Sequence, residues 1–255
     1  MKNPLVVPVE QLTQEPYASV LCFPKPNEAE LKSRIEELQS LGAVAVEFSG
    51  NASAFGVRVP ILGKGFVGMV VIAHLNGQRV ALKILRMDAD RPDLLHEAQM
   101  LSKTNAVDVG PKLVGASKNF LLTQLIDGDH LPNWLKTQKE KKLVQKVLGE
   151  VLEQCYRLDE AGLDHGELSK APKHVIIDHD CKPWLIDFET ASDTRKPANV
   201  TAICNFLFSG AGEVAQAVAE VLGERDKKEI IDALKSYRRG RSRENFEKIV
   251  ANCLR

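Results

Sequence analysis

Lys83 ends the apolar run Val80-Ala81-Leu82-Lys83. An ammonium in such a strand is costly unless an opposite charge meets it. A triphosphate could supply that charge, and so could Glu97 on the helical stretch that follows. The alternative is a lysine whose stem lies along the strand while its head reaches water. Ahead of it stands Gly63-Lys64-Gly65-Phe66-Val67-Gly68. Glycine leaves no Cβ to block backbone amides from phosphate oxygens. In a dinucleotide-binding unit such glycines follow a strand, open a helix and precede an acidic residue about 20 positions on. Here a second strand follows, and the position in question holds Lys83.

A second group lies downstream: Asp164-His165-Gly166-Glu167-Leu168-Ser169-Lys170, then Lys173-His174-Val175-Ile176-Ile177, then Ile186-Asp187-Phe188-Glu189. Carboxylates, imidazoles and lysines alternate here with apolar residues that would fix them.

The elements that must position these residues are legible in outline. Residues 1–26 carry five prolines and read as an irregular lead-in. Asn27 begins a helix, with Glu30 as the far half of a capping box. Leu31, Ile35, Leu38 and Leu41 form its apolar stripe, and Gly42 stops it. Strands are expected at 43–48, 57–62, 69–75 and 78–85, with Asn76-Gly77 as a type I′ hairpin turn. A helix follows, with Asp90 as cap, Pro92 in its first turn, and Leu94, Leu95, Ala98 and Leu101 inward. A strand over 120–126 ends at Asp127-Gly128-Asp129, the expected boundary between residues 1–126 and 127–255. The second half reads as helical: one long helix over 140–161, a small hairpin at 175–177 and 184–186, and three or four helices from Asn199 onward. The fold class is α+β.

Composition sets the outer limits. The 255 residues hold 34 Lys+Arg against 34 Asp+Glu, which excludes a uniformly basic nucleic-acid binder and an acidic tail. Aromatic residues make up only 5%, so an aliphatic core is expected. Five cysteines with no CxxC argue against a disulfide scaffold or a Cys-based zinc site and suit a reducing, cytoplasmic setting. The proline-broken N-terminus does not read as a signal peptide, and no apolar run suits a membrane span, so no membrane partner is expected.

The order of glycine loop, Val-Ala-Leu-Lys, helix Glu, His-Gly-Glu loop and Ile-Asp-Phe-Glu resembles the protein-kinase-like fold. The likeness covers residues 25–210. It is closest to small archaeal-type serine/threonine kinases of an atypical, RIO-like kind without an APE motif. It implies two lobes, a β-sheet N-lobe and a small helical C-lobe, with ATP and magnesium or manganese as cofactors. By the same likeness Gly63, Lys64, Gly65 and Gly68 cover phosphates, Lys83 pairs with Glu97, and Gln124 to Ile126 form the segment whose backbone holds adenine. Asp187 takes the metal-binding role, and His165 is structural.

The departures are chemical. Glu167 stands where the family has its catalytic Asp, one methylene longer, and reaction geometry is sensitive to displacements on the 1 Å scale. His174 takes the place of a metal-binding Asn, although magnesium prefers oxygen. Glu189 replaces the Gly of DFG and offers another oxygen. Lys170 and Lys173 could neutralise the transferred phosphoryl group or be ordinary loop lysines. Gly166 replaces the Arg of HRD, and only a short stretch separates Glu189 from the helix at Asn199. The peptide-binding platform therefore looks absent, as in RIO kinases, the small kinase of tRNA threonylcarbamoylation and aminoglycoside-type phosphotransferases.

The expected activity is γ-phosphoryl transfer from ATP to a Ser/Thr hydroxyl of an unknown protein. The alternatives are a small-molecule kinase and a nucleotide-binding ATPase switch in an RNA-processing assembly. The last draws on the basic run 235–243 as an RNA or ribonucleoprotein contact, although a solvated helix end is the simpler reading. Asp178-His179-Asp180 reads as a turn rather than a metal cluster. Trp134 and Trp184 read as core or interface residues.

Overall fold

The computed structural model describes residues 4–52, 56–170, 172–209 and 212–255. The start of the expected lead-in, Met1 to Asn3, lies outside them. The chain divides into two compact units, 1–102 with 112–125 and 103–111 with 126–255.

The first unit is built on an antiparallel sheet. Its strands are β1 (Leu5–Pro8), β2 (Ala43–Phe48), β3 (Gly63–Lys64), β4 (Gly68–Leu75), β5 (Gln78–Leu85), β6 (Leu113–Ala116) and β7 (Phe120–Gln124). Their order is β1-β2-β4-β5-β7-β6, with β3 paired to β4. The β4–β5 hairpin turns at Asn76 and Gly77, both at positive φ (49° and 78°), as a type I′ turn requires. Helix α2 (Glu28–Ser40) is capped by Asn27, whose side chain accepts the Glu30 N–H at 2.9 Å. Gly42 leaves it at φ 83°. The capping box is only half made, because the Glu30 carboxylate bonds Arg34 at 2.7 Å. Arg34 is buried, and its guanidinium also reaches the carbonyls of Leu21 and Leu85 and the side chain of Asn119. One buried cation thus ties α2 to the lead-in and the sheet.

Three expectations are corrected here. The lead-in is structured: β1 adds to the sheet edge against β2, a 3-10 turn follows over Val9–Thr13, and a short helix α1 covers Ala18–Leu21. Its prolines punctuate these pieces, while Val7, Val9, Leu12 and Leu21 enter the core. The strand expected at 57–62 does not form, and Ile61 makes only an isolated bridge to Ala52. Pro60 has no N–H to give a ladder there. Helix α3 (Leu95–Asn105) starts later than expected. Asp93, not Asp90, accepts the Leu95 N–H at 3.0 Å, which turns Leu95 outward while Leu94, Ala98 and Leu101 remain buried.

The second unit combines a small sheet with helices. Strands β8 (Gly128–His130), β9 (Val175–Asp178) and β10 (Pro183–Leu185) run in the order β10-β9-β8. Gly128 and Asp129 of the expected boundary segment therefore open strand β8, and Asp127 precedes it. Gly128 has no room for a side chain, since a Cβ would stand 2.1 Å from the Ile177 carbonyl oxygen. Helices α4 (Leu131–Thr137), α5 (Lys141–Glu160), α6 (Asn199–Cys204), α7 (Glu213–Leu222), α8 (Lys227–Arg239) and α9 (Arg243–Leu254) complete it. The long helix α5 buries Val144, Val147, Leu148, Val151, Leu152, Cys155 and Leu158 along one stripe. Among the described residues, no single helix is long and apolar enough to cross a membrane.

The Asp178-His179-Asp180 turn forms as one. The Asp178 carboxylate accepts the N–H groups of Asp180 and Lys182 and the Trp184 indole N–H. The basic run 235–243 is dispersed. Lys235 pairs with Asp232, Arg241 bonds the carbonyls of Asp159 and Pro197, and Arg243 pairs with Glu153 and Glu247. Arg238 and Arg239 are exposed at the end of α8.

Candidate active site

In the strand-rich unit the glycine segment is a turn between paired strands. Gly63 and Lys64 pair with Val70 and Met69, and the Gly65 N–H closes the turn on the Gly68 carbonyl at 2.8 Å. Phe66 stands at its tip, 94% exposed. Arg86 secures the turn from below. Its backbone N–H donates to the Val67 carbonyl and its guanidinium to the Gly65 carbonyl, both at 2.9 Å. The guanidinium also lies over the Phe23 ring, as does the Lys64 ammonium, at 4.9 and 4.8 Å.

Lys83 is central in β5, and its Nζ donates to Glu97 Oε2 on α3 at 2.8 Å. The Lys83 and Glu97 side chains are only 14% and 7% exposed, so the pair is largely withdrawn from water. Gly68 has a role that the sequence does not reveal. A Cβ there would meet the Ile84 carbonyl oxygen at 2.9 Å and the Lys83 side chain at 3.0 Å. Its missing side chain is the space in which Lys83 lies. Gln124 ends β7, and its N–H is already given to the Lys112 carbonyl at 2.8 Å, so that donor is not free for adenine. Ile126 follows the strand and is half-buried.

In the helical unit three side chains converge. His174 Nε2 is 3.4 Å from Glu167 Oε2, and its Nδ1 is 3.9 Å from Asp187 Oδ2. One atom from each of Glu167, His174 and Asp187 falls within 4.8 Å of the others. Two carboxylate oxygens and an imidazole nitrogen at this spacing could hold a divalent cation, the oxygens suiting magnesium or manganese and the nitrogen suiting softer ions. Glu189 lies outside this trio, half-buried in the turn after Asp187. Lys170 ends a 3-10 turn (Leu168–Lys170), and both it and Lys173 are exposed. Burial together with the Lys173 charge holds His130 below its usual pKa.

Local structure explains the convergence. Asp187 adopts φ 68°, a left-handed conformation that Asp tolerates better than most residues, at a cost of roughly 1–2 kcal/mol. The flanking Leu185 and Phe188 are buried, which anchors the segment on both sides. His165 is structural, as expected. It is buried, and its Nε2–H donates to the Ile186 carbonyl at 3.1 Å. Burial above all, with the nearby His174, lowers its pKa to about 4, so the ring is neutral.

Several residues that hold this site carry no assignment from the sequence. Asn199, at the start of α6, accepts the His165 N–H at 2.8 Å and donates to Asp159 and the Leu163 carbonyl. Asp159 also accepts the Tyr237 hydroxyl. Burial raises the Asp159 pKa against the pull of these donors. Asp164 bonds Arg195 at 2.6 Å and the Ala198 N–H at 3.0 Å. Gly166 has φ 91°, and a Cβ there would stand 2.6 Å from Arg195 and 2.8 Å from the Thr190 hydroxyl. A side chain at that position would be strained by the positive φ and would displace Arg195 and Thr190.

The RIO domain family matches residues 82–204. The span runs from β5 with Lys83, through α3 with Glu97, to the end of α6 beyond Asp187. No curated protein matches the chain. Over this span the chain is similar to the RIO domain family, an atypical protein-kinase-like family, and its α+β architecture is consistent with a kinase-like fold.

Proposed function

We propose that this chain transfers the γ-phosphoryl group of ATP to Ser or Thr hydroxyls of a protein. In this reading Lys83, held by Glu97, engages phosphate oxygens. Asp187 and His174 hold the cation, whose charge offsets that on the phosphate oxygens during transfer. The observation that carries the reading is the position of Glu167. Its Oε2 faces His174 at 3.4 Å, and the side chain is 37% exposed, so its other oxygen can accept the proton of an acceptor hydroxyl. In this reading one carboxylate adjoins the cation site and still reaches an acceptor. Phosphoryl transfer asks mainly for positioning and charge neutralisation, which this set supplies.

The test is transfer and release of labelled phosphate from ATP with magnesium or manganese, in wild type, Asp187→Ala and Glu167→Gln. Label on protein Ser or Thr, lost in both variants, is expected. Label on a small molecule would replace the protein acceptor, and free phosphate without transfer would replace the kinase with an ATPase. ATP binding with neither outcome would reject catalysis altogether.

A further inference from the structure

We infer that Arg195 is a positioning residue that clamps the Glu167 loop to the Asp187 segment. The consequence for metal binding rests on the phosphotransferase reading above, whereas the clamp itself is geometric. Arg195 Nε donates to Asp164 Oδ2 at 2.6 Å, and Nη2 donates to the Thr190 carbonyl at 2.8 Å. One planar guanidinium therefore grips a residue three before Glu167 and another three after Asp187. It occupies the space left by Gly166, where a Cβ would stand 2.6 Å from Nη2.

Other bonds close the same frame. The Thr190 hydroxyl donates to the His165 carbonyl at 3.0 Å, and the Asp164 and Ser192 backbones exchange two bonds of 2.8 Å. The Ser192 hydroxyl accepts the Arg195 N–H at 3.1 Å, setting the start of the arginine side chain. An isolated half-exposed ion pair contributes little. This one differs because its two donors run to different segments, which a lysine cannot reproduce. Asp187 sits between the clamp and the His165–Ile186 bond in a backbone conformation that would relax if released.

The test compares full-length wild type, Arg195→Met and Arg195→Lys. Thermal unfolding, amide hydrogen exchange, Mn2+ affinity by electron paramagnetic resonance and ATP affinity by calorimetry are measured on each. Removing a group that orients ligands lowers metal affinity by about 10- to 100-fold, so a loss of about tenfold or more is expected in both variants. Exchange should accelerate over 186–192 while α5 and α9 keep wild-type rates, and ATP affinity should stay near wild type. Unchanged exchange and Mn2+ affinity in Arg195→Met would overturn the clamp, as would wild-type behaviour of Arg195→Lys. Acceleration spread evenly over the whole helical unit would also overturn it, by making Arg195 a general stabiliser. A wild type that binds neither ATP nor Mn2+ would reject the phosphotransferase reading, and the exchange pattern would still decide the clamp.

Discussion

At the scale of single residues, the site depends on two missing side chains as much as on the charged ones present. Gly68 and Gly166 make room for Lys83 and Arg195, at positions where a Cβ would come within 3.0 Å of each. Gly68→Ala should therefore act through Lys83. Its fixed neighbour is the Ile84 carbonyl, so the lysine stem has to move. A shift on the 1 Å scale costs about a hundredfold in rate. Lys83→Met should lose at least about as much, on the scale of removing one stabilising donor from a phosphate site. Both should remain folded at a lowered unfolding temperature, since one removes a partner of a largely buried ion pair and the other crowds the Ile84 carbonyl. Full activity in a folded Lys83→Met protein would remove Lys83 from the mechanism. Lys83 and Glu97 are legible because a charge in an apolar setting announces itself within a few positions, whereas Asp187 enters only through the family resemblance. Arg195, Asp164 and Asn199 were not assigned, because their bonds join positions 31 to 36 apart with no local pattern.

At the scale of elements, buried polar groups decide how the sheet is held. Glu47 on β2 accepts from Arg79 at 2.7 and 3.0 Å and contacts His74 at 2.9 Å, and its side chain is 4% exposed. Burial pushes its pKa up, but the bonds from Arg79 and His74 outweigh that and hold it below the ordinary value. A depressed native pKa gives stability that is present above the unfolded value, about 4.3, and is lost as pH falls through the native value. Glu47→Gln should lower stability at pH 7 by about 1–2 kcal/mol, a modest figure because Arg79 is half exposed. It should also flatten the acid limb of a stability–pH curve. An acid limb identical to wild type would remove Glu47 from that role. The elements themselves were legible where period and cap agreed, as in α2, α5 and the β4–β5 hairpin. The misread ones share a cause. Val57 to Leu62 is strand-like in composition, but Pro60 breaks the ladder, and in the lead-in a high proline count masked the buried Val7, Val9 and Leu12.

At the scale of the whole molecule, the two units are not consecutive stretches of chain. Residues 103–111 belong with 126–255, although 112–125 return to the sheet. Lys103 at the end of α3 pairs with Asp193, six residues before the start of α6. Cleaving the link at 125–127 therefore leaves a fragment 1–125 that carries part of the partner's own fold. The two fragments should elute together on gel filtration and part only in denaturant, and separate elution in native buffer would contradict the division. The helix that bears Glu97 thus works as a hem, stitched into one cloth at its first turns and into the other at its last. The gene could be divided at the codons for 125–127 into two open reading frames whose products find each other.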